Sequence, residues 1–364
     1  MSAAAQFWSH AWISDPLAAG AVAARLEQEG WDGAVVVDSQ CLRPDVWCLL
    51  TLCAQATRHL QLSPGITNPI TRHPSVTASA AATVQAISGG RVHLGIGRGD
   101  SALAHIGAAP MAIGLFEPYL ALLQSYLRGE LVELSAAAAL LSGATANFDK
   151  LALATPPPGS RIHWLANSGQ KKVPLEPFVT GPKAIAAAAK SADTLILGVG
   201  ADFERLQWAA QTARQAIERA GRGAQGVGLG AYVCVVPHHD IATARQLGTP
   251  LIASISRFSV INKNVVGPAS AHQRQTLEHI ARVYDMNAHG QGGAQAAVID
   301  ARFIDEFAVV GPVARCLEQL RRIVSLGFQR LVFSTPPRSA DPASQVSWDL
   351  LTQELLPALR QALV

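Results

Sequence analysis

The feature that most constrains this chain is a repeating alternation of short apolar runs with longer stretches of helical spacing. Phe7 to Trp12 is the first apolar run. Asp15 to Gly30 then has helical spacing, with Asp15 suited to cap it, Pro16 to its first turn and Gly30 to its end. Gly33 to Asp38 is apolar on both faces, as a buried parallel strand is. A helix over Asp45 to Thr57, a strand over Leu60 to Ile66, a helix over Ser75 to Ser88 and a strand over Val92 to Gly97 follow. The strand starts recur at roughly the 30-residue length of a βαβ unit.

Four more strands are expected, at Val173 to Thr180, Thr194 to Gly198, Gly230 to Val236 and Arg330 to Ser334. Helical stretches follow them at Lys183 to Lys190, Asp202 to Ala220, Ile241 to Ser256 and Ser344 to Leu363. A total of eight strands and eight helices favours closure into a (β/α)8 barrel, an α/β TIM barrel, over an open doubly wound sheet. The chain of 364 residues fits one such barrel, spanning 1–364, with insertions at about 131–167 and 262–310. The first insertion is Ala-rich, then Pro-rich, and an extra strand is expected at Arg161 to Leu165. Insertions of this length often cover a barrel's site.

Composition narrows the partners. Hydrophobic residues make up 49% and charged residues 15%, which suits a large core and excludes a disordered chain. The net charge is +3, and the basic residues never run beyond a pair such as Lys171-Lys172, so no nucleic-acid footprint is present. The five cysteines form no C-x-x-C pair, which reads as reduced thiols, with Cys41 expected to be buried. The start carries no secretory pattern and Val46 to Ala54 is too short to span a bilayer, so a cytoplasmic protein without membrane contact is expected. His238-His239 lacks any H-E-x-x-H context, and no metal site is expected; Asp240 reads as a helix cap.

Barrel chemistry sits at the carboxyl ends of the strands. These ends carry His10 and Trp12, then Asp38 and Ser39, then Gly65, Ile66, Thr67 and Asn68. Gly97, Arg98, Gly99 and Asp100 follow the fourth strand, Thr180, Gly181, Pro182 and Lys183 the fifth, and Gly198 and Gly200 the sixth. Small and hydroxylic residues expose backbone N–H groups to a polar ligand. Gly95-Ile-Gly-Arg-Gly-Asp100 lacks the full G-x-G-x-x-G spacing and does not follow the first strand, so a dinucleotide fold is the weaker reading.

Thr67-Asn-Pro-Ile-Thr-Arg-His-Pro74, Ser88-Gly-Gly-Arg91 and Leu94-Gly-Ile-Gly-Arg-Gly-Asp-Ser101 resemble one family. So do Phe116-Glu-Pro-Tyr-Leu120, Tyr126-Leu-Arg-Gly-Glu130 and Thr180-Gly-Pro-Lys-Ala184. It is the bacterial-luciferase-like superfamily of flavin and deazaflavin oxidoreductases, and especially its coenzyme F420-dependent branch, which includes methylenetetrahydromethanopterin reductase. The resemblance implies a flat ring bound at the strand ends and a non-proline cis peptide in the third strand, here Gly65–Ile66. It implies roles near the ring for Asp38, Ser39 and Asp100, and a phosphate site at Thr180 to Lys183, where helix N–H groups are free. For Lys183 alone, a solvent-facing lysine is the simpler reading, and an ordinary turn competes at Thr180-Gly181.

Two departures keep the substrate open. The methanopterin reductase has an acid near the end of the first strand, where this chain has His10. The F420-dependent glucose-6-phosphate dehydrogenase has a His after the second-strand Asp, where this chain has Ser39. The resemblance implies hydride transfer between F420 and a small C=C, C=N or C=O substrate, by a homodimer. FMN-dependent monooxygenation and a cofactor-binding barrel without turnover are the alternatives. His10, Asp38 and Asp100 are the candidate proton donors. His10 comes first because an unperturbed imidazole titrates near neutrality, although packing among tryptophans explains it equally well.

Overall fold

In the computed structural model of the protein, residues 5–140, 152–223 and 226–363 are described, with backbone alone at 262 and 263. Residues 141–151 of the first expected insertion lie outside them. The strands are β1 (Gln6–Ala11), β2 (Gly33–Val36), β3 (Gln61–Pro64), β4 (Leu94–Ile96), β5 (Leu175–Val179), β6 (Thr194–Leu197), β7 (Gly228–Pro237), β8 (Val309–Gly311) and β9 (Arg330–Ser334). They pair in parallel in the order β3-β2-β1-β9-β7-β6-β5-β4. The parallel bridges Leu62–Val92 and Thr67–Ile96 join β3 to β4 and bring the ring of eight round to a nearly closed barrel. The eight expected strands are these eight. β8 was not expected as a strand; it pairs with the last three residues of β7, outside the ring.

Alternation along β1 separates two cores. Phe7 packs with Trp31, Phe333 and the helices, whereas Trp8 packs with Val35, Ile196 and Val332 inside the ring. Beside Trp8, the barrel holds a closed polar layer. Glu176 accepts a bond from Arg330 and lies 2.8 Å from His93 Nδ1, while His93 Nε2 lies 3.3 Å from Gln61 Oε1. Gln6 Oε1 accepts from Arg330 Nε and Nη2 at 3.2 and 3.0 Å, and the Arg330 guanidinium lies 4.0 Å over the Trp8 ring. Burial pushes the Glu176 carboxyl up, but the charges of His93 and Arg330 overcome it and hold it at about 2.

Capping follows the sequence. Asp15, Asp45, Asp202 and Asp240 each accept backbone N–H groups at the starts of their helices. The strand expected at Arg161 to Leu165 is corrected: the Ile162 carbonyl accepts from Leu165 and Ala166, closing a helical turn over His163–Ala166. Only Ser160 bridges back, to Val132. The helix expected over Ser344 to Leu363 contains a π-helical stretch at Leu350–Leu355. Cys41 is exposed rather than buried, and none of the cysteines is paired in a disulfide.

The second insertion forms its own apolar cluster with β7, β8 and the helix Ile241–Ser256. Arg205, almost wholly buried, donates to the carbonyls of Val199, Val266 and Pro268 and so ties the insertion to the loop after β6. Arg257, just ahead of the insertion, bonds to Asp100 after β4. A Cβ on Gly181, after β5, would lie 3.5 Å from Val266. The stretch 257–268 therefore crosses the carboxyl ends of β4, β5 and β6.

Candidate functional site

The candidate residues converge on the carboxyl end of the ring. His10 is 7% exposed, with Nε2 3.3 Å from the Tyr232 hydroxyl and its ring 4.7 Å from that of Trp12. Burial pushes its imidazole down to about 4, and Arg43 adds to the shift. The expectation that His10 titrates near neutrality is therefore corrected: it is neutral at pH 7. Burial also pushes the Tyr232 phenol up to about 12, so a neutral His–Tyr pair faces the inner end of the mouth.

Asp38 is fully engaged. Its Oδ2 accepts from Arg72 Nη1 at 2.7 Å and its Oδ1 from Gln40 Nε2 at 2.8 Å. Arg72 also reaches Asp45 at 2.8 Å. Asp38 thus ties together the loops after β2 and β3. Arg72 was missed as a functional residue, although it lies inside the Thr67 to Pro74 motif.

Asp100 is different. Burial raises its carboxyl above the usual range, and Arg257 offsets part of that rise. The Arg257 guanidinium lies 4.9 Å over the Tyr284 ring, and the Tyr284 hydroxyl is 2.6 Å from His289 Nδ1. Burial, with Arg257 and His105 nearby, pushes His289 down to about 4. None of Arg257, Tyr284 or His289 carries a local sequence signal.

A group of buried polar atoms at this end has no partner among the described residues: His10 Nδ1, Ser39 Oγ, Thr67 Oγ1, Asn68 Nδ2 and Thr335 Oγ1. They belong to β1, β2, β3 and β9 or the residues just beyond, and these four strands are neighbours in the ring. Asn68 Oδ1, by contrast, accepts from the amides of Ile70 and Thr71 and holds the turn. A cavity of about 50 Å³ lies against His10 and Trp12, walled by Arg25, Leu26, Arg338 and Trp348. A larger surface groove, about 450 Å³, lies along the helix Val313–Val324 and carries none of the expected site residues.

The glycines divide into one expected feature and several packing constraints. The Gly65–Ile66 peptide bond is cis. A Cβ on Gly65 would lie 2.6 Å from Val35 Cβ, and one on Gly97 would lie 2.3 Å from Ile66 Cδ1. Packing between adjacent strands already accounts for Gly97. Gly99, at φ +95°, and Gly200, at φ +86°, need a left-handed backbone. Arg98 donates to the Met111 carbonyl, and Thr180 Oγ1 donates to Gly198 O, which joins the ends of β5 and β6. Gly181 precedes the helix Pro182–Ala189, whose Pro182 and Lys183 are exposed. Among the described residues, no three His, Cys, Asp or Glu side chains come together as a metal site, and no helix is long and apolar enough to cross a membrane.

Residues 4–330 match the family model described as luciferase-like monooxygenase. The chain belongs to the luciferase-like monooxygenase family. Within this family it is similar to the 5,10-methylenetetrahydromethanopterin reductase of Methanolobus tindarius, with 26% identity over 336 residues, 89% of this chain and 92% of that protein. The fold matches the coenzyme F420-dependent tetrahydromethanopterin reductase from Methanopyrus kandleri with a TM-score of 0.71 at 22% identity, over 98% of this chain and 100% of that one. It also matches an F420-dependent secondary alcohol dehydrogenase in complex with an F420-acetone adduct, with a TM-score of 0.71 at 17% identity, over 98% and 99% of the two chains.

Proposed function

We propose that this family member is a coenzyme F420-dependent oxidoreductase that moves a hydride between the deazaflavin and a small organic C=C, C=N or C=O substrate. The observation that carries the reading is its likeness, over about nine-tenths of both chains, to proteins named methylenetetrahydromethanopterin reductase. The site's chemistry fits the cofactor. Unpartnered buried polar atoms on four neighbouring strands suit a flat ring with a polar edge, which would otherwise leave costly groups unsatisfied.

Ser39, Gly65, Ile66, Thr67, Asn68, Gly97, Arg98 and Gly99 would hold the ring. Thr180, Gly181, Pro182 and Lys183, backed by Gly198 and Gly200, would take the phosphate at a helix N-terminus. When bound, F420 supplies the hydride chemistry itself. The chain's part is to orient the partners, exclude water and handle one proton. Asp100 is the group that handles it, because its raised carboxyl can hold a proton and Asp38 is already committed to Arg72 and Gln40. His10, neutral and paired with Tyr232, orients the substrate through Nδ1. The chain acts as a homodimer: Leu52, Val76 and Ile87 are exposed on the packed helices Val46–Ala56 and Pro74–Ser88.

The test is a fluorescence-quenching titration with F420, FMN and NADPH. F420 should bind most tightly. Equal or tighter FMN binding transfers the chain to the second reading, an FMN-dependent monooxygenase, which the description of the matching family model favours.

A further inference from the structure

We infer that Arg257, which follows the helix Ile241–Ser256 just ahead of the second insertion, is the positioning residue of Asp100, fixing both the orientation and the charge of that carboxyl at the barrel mouth. The inference rests on the reading above only in that Asp100 handles the proton; the Arg257–Asp100 coupling can be measured without any cofactor.

Asp100 ends the loop after β4 and begins the short helix Ser101–Ala104, yet its side chain makes no cap bond to that helix. Its orientation is thus left to a partner elsewhere. Arg257 Nη1 supplies it, from 157 residues away. The two side chains are 24% and 16% exposed, so solvent screens the pair only in part. The guanidinium is itself held, stacked 4.9 Å over Tyr284, whose hydroxyl meets His289 Nδ1 at 2.6 Å. Arg257 and two side chains of the insertion, Tyr284 and His289, therefore line up behind one carboxyl of the barrel. Arg257 also follows directly on the helix Ile241–Ser256, which packs on β7 and β8. A rigid stem thus carries it.

The titratable groups coupled to the pair are Tyr284 and His289 of the insertion and His105 after the Ser101–Ala104 helix. Arg98 is turned to the Met111 carbonyl, and burial, Arg257 and His105 hold His289 in its neutral form. Arg257 is then the cation that opposes the burial of Asp100. Without it, burial acts alone and the carboxyl keeps its proton to higher pH.

The test uses the full chain labelled with carboxyl-13C aspartate, with Asp100→Asn assigning the signal. In Arg257→Gln the Asp100 titration midpoint should rise by about one pH unit or more, the usual size of losing a close opposite charge. Arg257→Lys should restore most of it. Tyr284→Leu should leave the charge but loosen the stack, giving a smaller rise. A midpoint in Arg257→Gln within about 0.3 pH unit of the parent overturns the inference, as does a rise in Arg257→Lys equal to that in Arg257→Gln. If Arg257→Gln does not fold, the Lys and Tyr284 variants carry the same decision: unchanged midpoints in Tyr284→Leu together with a full rise in Arg257→Lys reject it. Tighter binding of FMN than of F420 would remove the proposed reaction and leave these midpoints where they are.

Discussion

The two ends of the barrel interior hold similar polar side chains in opposite states. Toward the amino ends of the strands, Gln6, Gln61, His93, Glu176 and Arg330 satisfy one another, and each carboxylate oxygen of Glu176 has a partner. At the carboxyl ends, His10, Ser39, Thr67, Asn68 and Thr335 each leave a buried polar atom without one. A buried group left unsatisfied costs about 1–3 kcal/mol, so the protein tolerates at one end what it has eliminated at the other. The difference is between a layer whose polar groups satisfy one another and a mouth whose polar groups, on the proposed reading, face a cofactor.

Breaking the satisfied layer should have the largest effect. Arg330→Met leaves one oxygen of the buried Glu176 without its partner and only His93 on the other, and urea unfolding at pH 7 should show a loss of up to about 3–5 kcal/mol. A loss below about 1 kcal/mol would mean that the layer is solvated and the contrast between the ends is unreal.

Acid separates the two ends next. The folded chain holds His10 down to about 4, whereas the unfolded chain protonates it near 6.5. Stability tied to His10 is therefore complete above 6.5 and is lost as pH falls toward 4, by about 3 kcal/mol. His289 adds a loss of the same sign in the same window. Glu176, held at about 2 against an ordinary 4.5, loses its contribution only as pH falls from 4.5 toward 2. Stability measured across pH 7 to 3 should thus fall less steeply between 6.5 and 4 in His10→Gln, with the His289 share of that loss remaining, while the lower window stays. An unchanged upper window in His10→Gln would remove the buried neutral imidazole from the account.

The glycines give a smaller contrast. A Cβ on Gly95 would meet the Pro64 carbonyl at 2.3 Å, a backbone atom that cannot step aside. On Gly97 it would meet the far end of the Ile66 side chain. Gly95→Ala should cost about 1–3 kcal/mol of overpacking, and Gly97→Ala less. The reverse order in thermal denaturation would show that Ile66 is the rigid element and Pro64 the yielding one.

The ring of strands was legible because parallel strands, buried on both faces, read as near-continuous apolar runs. β8 was not: its three residues follow directly on the helix Ala301–Phe307, too short to show a period. Arg161 to Leu165 failed for a related reason: among the described residues the pairing stops at Ser160, just before the segment, and a helical turn follows. At the site, the position of His10, Asp38 and Asp100 followed from the rule that strand ends carry the chemistry. Their states did not. His10 meets Tyr232 across 222 residues and Asp100 meets Arg257 across 157, and no local pattern encodes such pairings. The burial that lowers the His10 imidazole depends in part on Tyr232, two strands away in the ring.

The claim that the mouth's unpartnered atoms are kept for a cofactor is tested most directly by thermal denaturation of the parent and of Thr67→Val, each with and without F420. Without ligand, the valine removes an unsatisfied hydroxyl and should leave stability unchanged or raise it by up to about 1 kcal/mol. With F420 at about 100 times its Kd for the parent, the parent should gain about 2.7 kcal/mol and the variant clearly less. A variant that is destabilised on its own and gains as much from F420 as the parent does would contradict the account.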